Sequence, residues 1–268
     1  HCTRRDLVLE VAKKVKKLGR RFIAYMPPVL RKKDFPFGPV DLSEQEFQLQ
    51  HAAVIEEYAR RFGKHLDGWW FDGGSTAPEY RDAMTLKLRA ARAGNPDAAV
   101  TFNNGSICLG LSQPLIPGQD YLSGESEFLL KGKLRYRRGT DILTPLPKGK
   151  ASQKPAMGRG VTDCTGHVCT LSLPQPPALC IWHALLPIDC MWETGIPFNL
   201  DWQSPAFPWI APKRHKMEKP LYTVDHLETV VRDFKSVGGG VTFNVGIFQE
   251  GGLGPDTVDQ LAQLARRL

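Results

Sequence analysis

The sequence predicts an α/β fold in which parallel strands alternate with helices and close as a (β/α) barrel. Three observations predict it. Helix-like and strand-like segments alternate along most of the chain, as a parallel sheet requires, because each parallel crossover needs a helix. Polar residues stand at successive strand ends, at Tyr25, Asp72, Asn103, Glu193 and Asn244, where a parallel barrel mounts its functional groups. A doubly wound nucleotide fold would need a glycine-rich phosphate loop between a strand and a helix. Here Gly238-Gly239-Gly240 precedes its strand, and Gly251-Gly252 lacks the spacing.

Each element has its own signal. Thr3 with Asp6 three residues on reads as a capping box. Leu7, Val11, Val15 and Leu18 then recur on one helical face, and Gly19 ends the helix. Phe22-Ile23-Ala24-Tyr25-Met26 reads as a short buried strand stopped by Pro27-Pro28. Ser43 and Glu46 form a second capping box, followed by Phe47, Ile55, Tyr58 and Phe62 on one face up to Gly63. The run Gly68-Trp69-Trp70-Phe71-Asp72 is the next strand, and a helix is expected from Pro78 to Ala93. Ala98-Ala99-Val100-Thr101-Phe102 follows as a strand ending at Asn103-Asn104-Gly105.

Residues 106–179 are the least regular stretch and read as long loops with one strand. Apolar character resumes from Cys180 to Trp192. Thr223 opens a helix through Leu227, Val230, Val231 and Phe234, and Val241-Thr242-Phe243-Asn244-Val245 is a strand. Pro255 opens a last helix with Val258, Leu261, Leu264 and Leu268 on its apolar face. The whole reads as one domain, 1–268, with an irregular insertion at about 129–187.

Composition excludes some classes. With 42% hydrophobic and 24% charged residues over 268 positions, the chain is of ordinary globular composition. It holds no run of ~18 apolar residues, so no membrane-spanning helix is expected. It begins His1-Cys2-Thr3 without Met or an apolar signal core, which reads as a processed form or a fragment. Thirty-five basic against twenty-eight acidic residues give a net charge of +7. The basic clusters read as solvated faces rather than a nucleic-acid surface, because aromatics are not interleaved with them. Six cysteines do not make a disulfide scaffold at this size. Cys164-Thr165-Gly166-His167-Val168-Cys169 has the look of a metal knuckle, but no second pair matches it. Free thiols or a local disulfide are therefore preferred to zinc.

The most informative segment is Gly68-Trp69-Trp70-Phe71-Asp72-Gly73-Gly74. Large apolar side chains favour a buried strand, a carboxylate is costly inside a core, and two glycines permit an abrupt turn. Asp72 is thus expected at the mouth of a strand. The rival reading is an Asp-Gly hairpin turn without chemistry. Trp70 lies two residues before Asp72 and shares its face.

These residues, taken in order, resemble the catalytic domain of glycoside hydrolase family 29, the α-L-fucosidases. Tyr58-Ala59-Arg60-Arg61-Phe62-Gly63 leading to Trp69-Trp70-Phe71-Asp72-Gly73-Gly74 is similar to the family's aromatic-aspartate-glycine motif. Asp120-Tyr121-Leu122-Ser123-Gly124-Glu125 is similar to the stretch that carries its acid/base glutamate. The resemblance implies Asp72 as nucleophile and Glu125 as proton donor, with Glu127 a close second. It also implies Tyr25, Trp70, Asn103, Trp192 and Glu193 as sugar contacts. Gly238 to Gly246 resembles the family's final barrel strand. The likeness covers residues 3–128 and 188–268.

The family's first two strands, with their sugar-gripping histidines, have no counterpart, so the resemblance implies an incomplete (β/α)8-type TIM barrel made of strands three to eight. Open strand edges and uncovered apolar faces would then favour association. The implied activity is removal of terminal α-L-fucose with retention, which needs two carboxyl groups about 5 Å apart. The alternative is a catalytically silent sugar-binding barrel, and a third reading is a basic nucleic-acid binder. The implied partner is a fucosylated carbohydrate, and the implied location is extracellular, periplasmic or lysosomal.

Each residue also has a plainer role. Glu125 reads equally as a solvated loop acid, Glu193 as a salt-bridge partner, and Tyr25 and Trp70 as core. His51, His65 and His226 read as surface or core residues, and His183 is unassigned.

Overall fold

The computed structural model describes residues 4–35, 40–103, 114–124, 157–162, 168–171, 180–181, 183–189, 219–220, 222–236, 239–248 and 251–268. They belong to two compact units. The first holds α1 (Leu7–Lys17), β1 (Ile23–Met26), α2 (Glu44–Phe62), β2 (Gly68–Asp72), α3 (Arg81–Ala91) and β3 (Ala99–Asn103). Its strands form one parallel sheet in the order β1-β2-β3. Parallel partners on both sides of β2 overturn the Asp-Gly hairpin reading, since a hairpin would make its neighbour antiparallel.

The sheet has two unlike faces because side chains alternate along a strand. Trp69 and Phe71 point to the helical layer, where they join Ala24, Val100 and Phe102 in a core with Ile55, Ala59 and Phe62 of α2 and Met84 and Leu88 of α3. The Trp69 and Phe71 rings stack at 5.6 Å, and Phe71 stacks on Phe102 at 5.1 Å. Burial of each of these aromatics stabilises the unit by roughly 1.5–3 kcal/mol. The Trp69 indole N–H donates to the Ala91 carbonyl at 3.0 Å, so its one polar atom is satisfied within the core.

Local signals account for most of these elements. The Ser43–Glu46 capping box is formed in full, and α2 ends at Gly63, whose φ is +50°. The buried stripe of α2 is Phe47, Gln48, Ala52, Ile55, Ala59 and Phe62. Tyr58, expected on that stripe, is 40% exposed. In α1 the cap is Asp6 itself, which accepts the Leu9 N–H at 3.1 Å, rather than a box opened by Thr3. The expected apolar face of α1 does not pack: Leu7, Val11 and Leu18 are exposed, and only Ala12 is fully buried. The helix expected from Pro78 begins as a tight turn, Pro78–Tyr80, and becomes α-helical only over α3.

At the base of the sheet Asp67 accepts from the Lys16 ammonium at 2.7 Å and the Phe22 N–H at 2.8 Å. Burial alone would raise its carboxyl, but these two donors outweigh it and hold the group below its usual value.

The second unit contains the antiparallel pair β4 (Met157–Thr162) and β5 (Val168–Leu171), the parallel pair β6 (His183–Pro187) and β7 (Gly240–Asn244), and helices α4 (Val224–Ser236) and α5 (Pro255–Arg267). The irregular stretch therefore carries two strands where one was expected. Asp189 is fully buried and accepts from the Gly246 N–H and the Thr257 hydroxyl, both at 2.8 Å. It ties the ends of β6 and β7 to the start of α5. The expected apolar face of α5 is only partly used. Val258 and Leu268 are exposed, and Thr257 and Gln260 are buried beside Leu264, the Thr257 hydroxyl donating to Asp189 and the Gln260 amide to the Tyr222 carbonyl.

The fold class is thus α/β with parallel sheets. Among the described residues the sheets do not join into a closed barrel. No helix among the described residues is long and apolar enough to cross a membrane.

Candidate active site

The carboxyl ends of β1, β2 and β3 bring together Tyr25, Asp72 and Asn103. The register sets Tyr25 beside Trp70, Trp70 beside Thr101, and Asp72 beside Asn103. In-register parallel neighbours point to the same face, so Tyr25, Trp70, Asp72, Thr101 and Asn103 all project away from the aromatic core. The Asn103 amide donates to Asp72 Oδ1 at 2.8 Å. The Tyr25 hydroxyl donates to Asp72 Oδ2. Both carboxylate oxygens are therefore held from flanking strands, and each can accept a second hydrogen bond.

The turn after Asp72 depends on its glycines. Gly73 has φ +124°, and its N–H donates to the Asn103 carbonyl at 3.0 Å. At Gly74 an added Cβ would overlap Leu115 and press on Phe102. This turn and the segment after β1 border a cleft of about 620 Å³, lined among others by Asp72, Pro27, Val29, Arg31 and Tyr80. That volume suits a sugar-sized ligand.

Trp70 is 8% exposed, and its ring lies 6.2 Å from that of Tyr121, tilted by 48°. The Asp120–Tyr121 segment runs beside β3. The Asp120 N–H donates to the Val100 carbonyl at 2.9 Å, and Thr101 Oγ1 donates to the Tyr121 carbonyl at 2.6 Å. Asp120 is anchored by Arg92 at 2.7 Å and by the Val100 N–H at 2.7 Å. Tyr121 donates its hydroxyl to the Trp69 carbonyl at 2.9 Å. Burial, reinforced by Asp120, pushes that phenol well above its ordinary value, which keeps it a neutral donor.

Of the residues singled out in the sequence, the structure brings Tyr25, Trp70, Asp72 and Asn103 onto one face. Glu125, Glu127, Trp192 and Glu193 lie outside the described residues. Cys164 and His167 do too, and among the described residues no cluster of His, Cys, Asp or Glu could hold a metal ion. His51 lies within α2, where its ring stacks on Phe47, and His183 bonds Thr242 Oγ1 at 2.8 Å between β6 and β7. Sequence reasoning missed the roles of Val29 and Tyr80 in the cleft wall, since neither belongs to a motif.

No family model matches the chain, and no curated protein matches it in sequence. Solved structures do match. An endo-fucoidan hydrolase of glycoside hydrolase family 107 aligns with 98% of this chain and 41% of its own, at 14% identity and a TM-score of 0.53. The α-L-fucosidase AlfC from Lactobacillus casei, in complex with α-L-fucose product, aligns with 98% of this chain and 67% of its own, at 15% identity and a TM-score of 0.52. A Ruminococcus gnavus family 29 fucosidase in complex with fucose aligns with 97% of this chain and 47% of its own, at 12% identity and a TM-score of 0.51. The chain thus spans less than half the length of that endo-fucoidan hydrolase and about two thirds of the L. casei enzyme. At these identities the likeness is one of fold. It extends to two glycoside hydrolase families and does not single out family 29.

Proposed function

We propose that this chain is a retaining glycoside hydrolase that removes terminal α-L-fucose from glycans or glycoconjugates. Asp72 carries the reading. It is a carboxylate at the mouth of the central strand, held by Tyr25 and Asn103 at the edge of a sugar-sized cleft. Its fold is shared with proteins whose names declare them fucosidases and fucoidan hydrolases.

In the first step an Asp72 oxygen attacks the anomeric carbon while the glycosidic C–O bond breaks. Glu125 gives its proton to the departing oxygen. In the second step Glu125 takes a proton from water, the water oxygen attacks the same carbon, and the Asp72 ester bond breaks. Two inversions leave the configuration retained. Tyr25 and Asn103 act as positioning residues that fix the angle of the attacking carboxylate. Trp70 supplies an apolar surface on the same face. Trp192 and Glu193 complete the sugar contacts in this reading. The reaction uses no metal and no organic cofactor.

Hydrolysis of 4-nitrophenyl α-L-fucoside by the chain beside its Asp72→Asn variant tests the reading. The expected result is turnover that falls by at least ~10³-fold in the variant, as for loss of a nucleophile. Absence of turnover in a folded parent that still binds fucose would replace the hydrolase with a silent sugar-binding barrel. Absence of both would remove the fucose reading altogether.

A further inference from the structure

A buried polar network stands behind the wall of the Asp72 cleft, and the sugar chemistry does not use it. Its centre is Gln48 on α2, which is 8% exposed. The Gln48 amide donates to the Leu30 carbonyl at 2.9 Å, to the Val29 carbonyl at 3.4 Å and to Glu44 Oε1 at 2.8 Å. Its oxygen accepts from the ammonium of Lys87, which lies on α3 with no exposed surface. Glu44 in turn accepts the Lys32 N–H through both carboxylate oxygens at 3.1 Å. Three positions within one four-residue stretch, Val29, Leu30 and Lys32, thus hang from one turn of α2.

The segment they hold is strained. Val29 has φ +38°, the only positive value at a non-glycine residue among the described residues. A β-branched residue is poorly suited to that region, and such strain costs about 1–3 kcal/mol unless surrounding contacts over-determine it. Val29, Leu30 and Arg31 line the cleft beside Asp72, Gly73 and Gly74. The strained residue, Val29, thus stands in the cleft wall itself, with Leu30 and Arg31 after it.

We infer that Gln48 is a positioning residue for the cleft: it fixes the Val29–Arg31 wall at its working distance from Asp72 through the two backbone carbonyls it holds. The inference rests on the Asp72 cleft being the sugar site. Gln48 is suited to this because its amide supplies donors to the wall and an acceptor to the Lys87 ammonium at once. A leucine would fill similar space and satisfy neither.

The test separates positioning from folding. Gln48→Leu combined with Lys87→Met removes both buried polar partners together, so that no buried ammonium is left unpaired. Gln48→Glu, a second variant, keeps an acceptor for Lys87 but loses both donors to the wall. Two readouts are followed for the parent and both variants. One is the split of kcat and KM on 4-nitrophenyl α-L-fucoside, and the other is amide hydrogen exchange over residues 29–32.

The expected result in both variants is faster exchange at these amides and a rise in KM of about five- to ten-fold, the size of one lost buried hydrogen bond. The melting temperature of the double variant should stay near the parent's. Parent-like exchange at residues 29–32 in a folded variant would overturn the proposal, as would a parent-like KM. A double variant that fails to fold leaves Gln48→Glu to decide on the same readouts. Should the parent hydrolyse nothing, the hydrolase reading fails separately, and the exchange measurement alone decides the role of Gln48.

Discussion

Asp72 takes hydrogen bonds from two strands, and those two donors allow its reactivity to be tested without removing it. Tyr25→Phe removes the hydroxyl that reaches Asp72 Oδ2, and Asn103→Leu removes the amide that reaches Oδ1. Each loss of a charge-assisted hydrogen bond is expected to lower kcat on an aryl fucoside by about 10- to 100-fold, while Asp72→Asn costs far more. Steady-state rates for the three variants check the order. Equal losses in all three would mean that the carboxylate itself is not the attacking group. The placement of Asp72 and Trp70 on one face was legible from strand period alone. The partnership of Tyr25 with Asp72 was not, because it spans 47 residues and depends on the strand register. An exposed tyrosine at a strand end reads as core or ligand until its neighbour strand is known.

Packing of α2 on α3 was only half legible, and the illegible half is polar. Ser43, Glu46 and Gly63 announce where α2 starts and stops. Phe47, Ile55 and Phe62 announce its buried side. Burial of Gln48 and Lys87 could not be read locally, because the partner that makes each tolerable lies on another element.

His51 shares this region. Its ring stacks on Phe47 at 5.9 Å, and its Nδ1 is buried without a hydrogen-bond partner. Burial first, and then the charge of Lys87, push the imidazole down to about 4 from 6.5. Between these values the unfolded chain binds more protons than the folded one. Stability is therefore full above about pH 6.5 and is lost as the pH falls through 4. Glu44, facing Lys87, is the opposing charge in the same cluster. Melting temperature is expected to fall between pH 7 and pH 4.5, and His51→Phe should flatten that fall while leaving the pH 7 value unchanged or higher. An identical pH slope in the variant would remove His51 from the account.

The close approach of α2 and the turn after α3 is a separate test. A Cβ at Gly94 would overlap the Ala59 carbonyl of α2. Gly94→Ala should cost about 1–3 kcal/mol by overpacking, read as a lower midpoint in urea at unchanged slope.

Alternation of helices and strands across the molecule was legible in the sequence, and parallel pairing followed from it in both units. Closure was not legible, because it depends on what pairs with the outermost strands. Among the described residues β1 pairs only with β2. Apolar side chains of α1 and β1 are exposed: Leu7 and Val11 are each 49% exposed, Leu18 is 75% exposed, and Ile23 at the start of β1 is 48% exposed. Lysines on the rest of α1 and a net charge of +7 oppose contact between copies, but that repulsion is screened within about 8 Å at physiological salt, whereas the apolar attraction is not. A strand edge without a partner among the described residues and an exposed apolar helical face each favour association. The chain is therefore expected to associate with rising concentration, and more so at high salt. Replacing Val11 and Leu18 with Lys should shift sedimentation toward the monomer without altering the melting temperature, since neither side chain is in the core. A parent that sediments as a monomer at every concentration and salt would show that this face is tolerated in water as it stands.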